Sequence, residues 1–120
     1  MLFRSLVLMD WSRLEQFKEF DDDARSMTRE VIALFAADAP LRIQDIHAAL
    51  SACDSAALSR AAHALKGAAS NVGAQALTDA CFQIEQSCMQ GVWPADAGEQ
   101  VANTAQLASK TLHALNDWVA

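Results

Sequence analysis

DSAALSRAAHALKGAASNVGA, residues 54–74, reads as one amphipathic helix with its start and stop signals attached. Asp54-Ser55 offers side-chain oxygens to the free amides of a helix start, and Gly73 is the natural residue for a left-handed stop after about Asn71. At about 100° per residue, Leu58, Ala62, Leu65, Ala69 and Val72 share one narrow face. A face that apolar must pack on other helices, so the stretch points to an all-α fold. His63, Lys66, Gly67 and Ser70, with Ser59, fall on an arc more than a quarter-turn away, which meets solvent.

The flanking sequence supplies those helices. Downstream, Leu77, Cys81, Ile84 and Cys88 recur at i, i+4, i+7 and i+11 in a helix predicted from about Ala74 to Gln90 and ended by Gly91. In line with a leucine and an isoleucine, the two cysteines read as core. After Val92-Trp93-Pro94, a last helix from about Asp96 to Trp118 turns Val101, Ala105, Ala108, Leu112, Leu115 and Val119 inward. Upstream, Asp10-Trp11-Ser12 opens a short helix through about Phe20, with Leu14, Phe17 and Phe20 on one side, as a flap over the end of the molecule. Asp21-Asp22-Asp23 places negative charge where a helix N-terminus favours it, and its adjacent carboxylates suit capping better than metal binding. From about Ala24 a long helix carries Met27, Val31, Leu34 and Phe35, then after Pro40 Ile43, Ile46, Leu50 and Cys53 in a shifted phase. That shift predicts a kink or short break near Asp38–Pro40.

Four long helices with short connections predict an antiparallel up-down four-helix bundle over residues 21–120, with an N-terminal segment and short covering helix over residues 1–20. The 120 residues, 52% of them hydrophobic, hold one domain with one core, and closing that core needs no second copy, so a monomer is expected. A net charge of −6 with nine Lys and Arg argues against nucleic acid. Three cysteines, without CxxC or Cys/His spacing, suggest neither a disulfide framework nor zinc and fit a reducing cytoplasm. Met1–Met9 is too short to span a membrane and lacks a cleavage site. Met9-Asp10-Trp11 reads as a natural start, leaving residues 1–8 as an upstream-start artefact or a small apolar lid.

The chemistry concentrates at His63. An exposed imidazole with an ordinary pKa near 6.5 keeps a free lone pair at neutral pH and can act as a nucleophile. GxSxG, HExxH and an acidic residue after His63 are absent, while Lys66 lies one turn on, where an ammonium suits a phosphoryl group on the ring. Gly67 costs about 1 kcal/mol relative to alanine inside a helix and opens the flank of the imidazole to another protein. If the chain folds back at Val72-Gly73, His63 lies level with about Phe82. Glu85 is then in reach to hold one ring nitrogen, with Phe82, Gln86 and Met89 beside it as docking surface. His47 and His113 lack such a setting and read as solvated.

The run HALKGAASNVGA, with its upstream cap and the downstream Leu77…Cys81…Ile84-Glu85 helix, resembles the signature HxLKGxxxxxGA of histidine-containing phosphotransfer (HPt) domains. The similarity extends from about Ala24, including Leu34-Phe35-Ala36-Ala37-Asp38-Ala39-Pro40. It implies a bacterial two-component phosphorelay carrier that takes a phosphoryl group on His63 from the receiver-domain aspartate of a hybrid histidine kinase. The group then passes to the aspartate of a response regulator. The same resemblance makes Lys66 the phosphoryl-stabilising cation and Gly67 the access residue, and it suits Glu85 as support; Ser70, on the same arc but at a position where the family varies, is a second supporting candidate, and Ser59 a docking position. No Walker-type or kinase glycine loop is present, so the expectation is a phosphocarrier and not an enzyme, with no cofactor or metal of its own; the divalent metal belongs to the partner receiver. The alternative is a structural or adaptor helical bundle that binds receiver or kinase domains without phosphotransfer.

Overall fold

The computed structural model describes residues 7–22, 26–89 and 93–119, and every regular element among them is helical. The sequence around His63 folds as expected. α3 runs Ser55–Asn71, with Asp54 accepting from the Ala57 amide at 3.0 Å, and buries Leu58, Ala62, Leu65 and Ala69. It ends in a Schellman motif, in which the Gly73 amide donates to Ser70 O and the Ala74 amide to Ala69 O. Gly73 takes the left-handed φ of +76°. α4, Gln75–Cys88, follows at once and buries Leu77, Cys81, Ile84 and Cys88.

α1, Ser12–Phe20, is preceded by Asp10, which accepts from both the amide and the hydroxyl of Ser12. Leu14 is buried as predicted, but Phe20 is 83% exposed. It is the last residue of the short helix. α2, Ser26–Ser51, starts on the predicted acidic cap: Asp21 accepts from the amides of Met27 and Thr28 and from the Thr28 hydroxyl, and Asp22 from the Ser26 amide. Asp23 and the expected start at Ala24 lie outside the described residues.

Two expectations for α2 are corrected. The helix passes through Pro40 without a break, and its buried side is Thr28, Ile32, Phe35, Ala39, Ile46 and Ala49 in one continuous phase. The apparent phase shift came from taking Met27, Val31 and Leu34 as inward; Leu34 is 64% exposed and Met27 is exposed too. Cys53 is no part of the stripe. It is exposed in the turn after α2 at φ +50°, as the left-handed residue of a second Schellman motif: Cys53 donates to Leu50 O and Asp54 to Ala49 O.

α5, Ala97–Val119, follows the expected bounds within a residue; its buried line is Val101, Thr104, Ala108, Thr111 and Leu115, with Ala105 and Leu112 at the flanks. The two threonines enter the core because each hydroxyl donates to the carbonyl one turn back, Gln100 O and Leu107 O. The expected helix end at Gln90-Gly91 is outside the described residues. Each helix from α2 to α5 packs on the next, α5 returns to α2, and α1 lies against α2. Among the described residues nine alanines, including Ala39, Ala62, Ala69 and Ala108, are buried, which lets the helices approach closely. No helix among the described residues is long and apolar enough to cross a membrane.

Candidate functional site

His63 projects from the middle of α3 with 69% of its side chain exposed. The core-facing residues on either side, Ala62 and Leu65, are fully buried, which sets the helix rotation and turns the imidazole outward. Because α3 reverses directly into α4 at Gly73, the two helices lie side by side, and His63 Nδ1 comes 3.0 Å from Glu85 Oε2. The other carboxylate oxygen, Oε1, lies 2.6 Å from Lys66 Nζ. One carboxylate therefore holds both the histidine and the lysine.

The electrostatics follow from that pairing. Burial pushes the Glu85 carboxyl up, but hydrogen bonds from Lys66 and His63 and the charge of Lys66 outweigh it and hold the group below its ordinary value. An ionised carboxylate only accepts hydrogen bonds, so in the neutral imidazole Nδ1 carries the proton and Nε2 keeps the lone pair. The Lys66 ammonium also sits 5.3 Å from the centre of the Phe82 ring. Cys81, one turn before Glu85, is no competing nucleophile: burial, then the nearby Glu85 carboxylate, push its thiol up to about 12.

The predicted site residues fall into two groups. His63, Lys66, Gly67, Glu85 and Phe82 come together on the α3–α4 face. A methyl group added at Gly67 would meet nothing within 4 Å beyond the adjacent residues and local backbone of its own helix, so no packing contact inside the chain requires this glycine. Phe82 is 49% exposed and Met89 72%, with Gln86 donating to Met89 Sδ at 3.5 Å. Ser59 is half-buried one turn before His63. Ser70 lies apart, lining a polar cleft with Asp10, Ser12, Arg13 and Gly73. Arg60, left unassigned by the sequence reading, is exposed one turn before His63. His47 and His113 are exposed on other helices. Among the described residues no cluster of His, Cys, Asp or Glu could hold a metal ion.

This arrangement can accept an electrophile at an oriented, solvent-facing nitrogen and balance the charge that forms on the ring. Comparison with known proteins agrees in kind. The family model of the Hpt domain matches residues 30–119. Among solved structures, the histidine-containing phosphotransfer protein B of Pseudomonas aeruginosa PAO1 matches with a TM-score of 0.85 and 26% identity, covering 96% of each chain. No curated protein is a significant match in sequence. With the matched segment taking in three-quarters of the chain and the exposed histidine at its heart, the chain belongs to the Hpt domain family, the histidine phosphotransfer intermediates of two-component phosphorelays.

Proposed function

We propose that His63 is the residue that carries the phosphoryl group, and that it does so on Nε2. The observation that carries this reading is the Glu85 carboxylate on Nδ1, which leaves the exposed Nε2 as the nucleophile. In the forward step the Nε2 lone pair forms the N–P bond as the P–O bond of a receiver's aspartyl phosphate breaks and the aspartate leaves as carboxylate. The Nδ1 proton stays against Glu85, so no proton need move, and the reverse step expels a neutral imidazole. Lys66 keeps Glu85 ionised and lies close enough to add its charge to the phosphorylated ring; Gly67 leaves room for the partner. Ser59, Phe82, Gln86 and Met89 are the surface on which the receiver docks, with Ser70 apart from it in the cleft beside Gly73.

The partners in this reading are the receiver domain of a hybrid kinase upstream and that of a response regulator downstream, each bringing its own divalent metal. The protein is a cytoplasmic, monomeric phosphocarrier without kinase activity. Its helices form an antiparallel up-down four-helix bundle over residues 21–120, with residues 1–20 as a covering segment; the return of α5 to α2 supports this arrangement.

The test is transfer of label from a phosphorylated receiver domain to the parent protein and to His63→Gln. Label that is acid-labile and base-stable on the parent, and none on the variant, is the expected result. Label persisting on a folded His63→Gln protein would move the site elsewhere.

A further inference from the structure

α3 carries two cations, Arg60 and Lys66, one turn to either side of His63, and no aspartate or glutamate anywhere along its length. This is a local excess of positive charge in a chain whose net charge is −6. The two cations differ in their surroundings. Lys66 is engaged on the α4 side by the Glu85 carboxylate and the Phe82 ring. Arg60 is exposed, and among the described residues no carboxylate pairs with it; Arg42 across the way is held by Asp38 at 3.1 Å.

The imidazole decides which cation matters to a group on Nε2. Its Nδ1 faces Glu85 on α4. The two ring nitrogens flank one carbon and their outward bonds diverge widely, so a group on Nε2 heads away from the carboxylate that holds Lys66. At about 100° per residue, Lys66 lies on the α4 side of His63 and Arg60 on the opposite flank. That flank borders a trough between α2 and α3 lined by alanines together with Arg42 and Asp45 of α2, to which Arg60 contributes with Ala57, Ala61 and Ala64. Residues three apart on a helix have Cβ atoms only about 5–6 Å apart, so the long arginine side chain covers the space beyond Nε2. Its planar fork of donors fits two oxygens of a phosphoryl group, which a single ammonium does not.

We propose that Arg60 is a catalytic residue of the transfer, its guanidinium binding phosphoryl oxygens as the group moves to and from His63 Nε2 while Lys66 stays with Glu85. This rests on the reading of His63 as the acceptor, and the experiment separates the two. The intact chain is labelled with phosphoramidate, a donor that needs no partner protein. The Nε2 lone pair forms the new N–P bond, the donor P–N bond breaks, and its electron pair leaves on ammonia. The reaction is followed by phosphorus NMR in the parent, Arg60→Ala, Arg60→Lys and His63→Gln.

Arg60→Ala should be labelled about tenfold more slowly, the effect of one lost charge-assisted hydrogen bond, with Arg60→Lys recovering part of the rate. The bound phosphoryl group of Arg60→Ala should also take up its proton at higher pH than the parent's, because a neighbouring guanidinium favours the dianion. A merely solvated or structural arginine would move neither readout. Labelling of Arg60→Ala at the parent rate with the parent's titration, His63→Gln remaining unlabelled, overturns the role of Arg60 and leaves His63 standing. An unlabelled parent, or a labelled His63→Gln, overturns both.

Discussion

His63, Glu85 and Lys66 form a site in which no residue has a free choice of partner: the carboxylate orients the imidazole and the ammonium keeps the carboxylate charged. Gly67 stands beside them for a different reason. Its position is open, so Gly67→Ala should raise the stability of the folded chain by about 1 kcal/mol through helix propensity alone. In the proposed docking of a receiver the same methyl group stands in the path of approach. Gly67→Ala should therefore slow transfer from a phosphorylated receiver while labelling by a small donor proceeds at the parent rate. Thermal melts and the two rates together check this; equal slowing by both donors would point to distortion of the site instead. At this scale the sequence was readable where spacing within one helix mattered, as for His63, Lys66 and Gly67. Glu85 could be reached because the turn at Gly73 sets the register of the next helix. That its carboxylate would take Lys66 as well was not readable, since a lysine's direction depends on which neighbour offers the nearer charge.

α2 and α3 are held at their starts by side-chain oxygens, and α2 shows how much rests on one residue. Burial of the Asp21 carboxyl works against ionisation, but hydrogen bonds from the Thr28 hydroxyl and the amides of Thr28, Met27 and Asp22 bring its pKa from 3.8 down to about 2. The folded value lies below the unfolded one, so this group's contribution to stability is complete above about pH 4 and disappears as pH falls through about 2. Asp21→Asn should thus be less stable than the parent near neutral pH, and the gap should close toward about pH 2. Urea unfolding at several pH values measures it; a gap constant with pH would mean that charge at the cap is immaterial. Caps and stops were legible in the sequence because they depend on local chemistry. The rotation of α2 was not, since its outward line of exposed Met27 and Leu34 with half-buried Val31 is as apolar as its buried one, and only packing on α3 and α5 distinguishes them.

The molecule as a whole is closed at one end by residues that precede α1. The Asp10 amide donates to Gly73 O at 2.7 Å, and the Ala76 amide to Leu8 O at 3.3 Å, so the chain entering α1 is bonded across the α3–α4 turn. Trp11 stacks on Trp118 near the end of α5, ring centroids 5.5 Å apart, and Lys18 lies over the same Trp118 ring. Gly73 serves this contact as well as the turn: besides its left-handed φ, a methyl group there would collide with Asp10 O. Gly73→Ala should lower stability by at least the roughly 1–2 kcal/mol of a left-handed alanine, and should loosen the Leu8–Asp10 crossing. Denaturant unfolding gives the first quantity and hydrogen exchange at the Asp10 and Ala76 amides the second. Unchanged stability would show that the turn adapts without cost.

By itself the sequence determined the helical class, the caps and stops, the core faces of α3 and α4, and the histidine with its lysine and glycine. Those features depend on contacts within a few residues, where periodicity and local hydrogen bonding leave one answer. The tertiary structure decided which of two apolar faces of α2 is buried and that the helix continues through Pro40. It also decided that Thr104 and Thr111 of α5 join the core and that one carboxylate is shared between His63 and Lys66. Each of these depends on which helix lies alongside, and residues far apart in the chain meet only after the helices have packed.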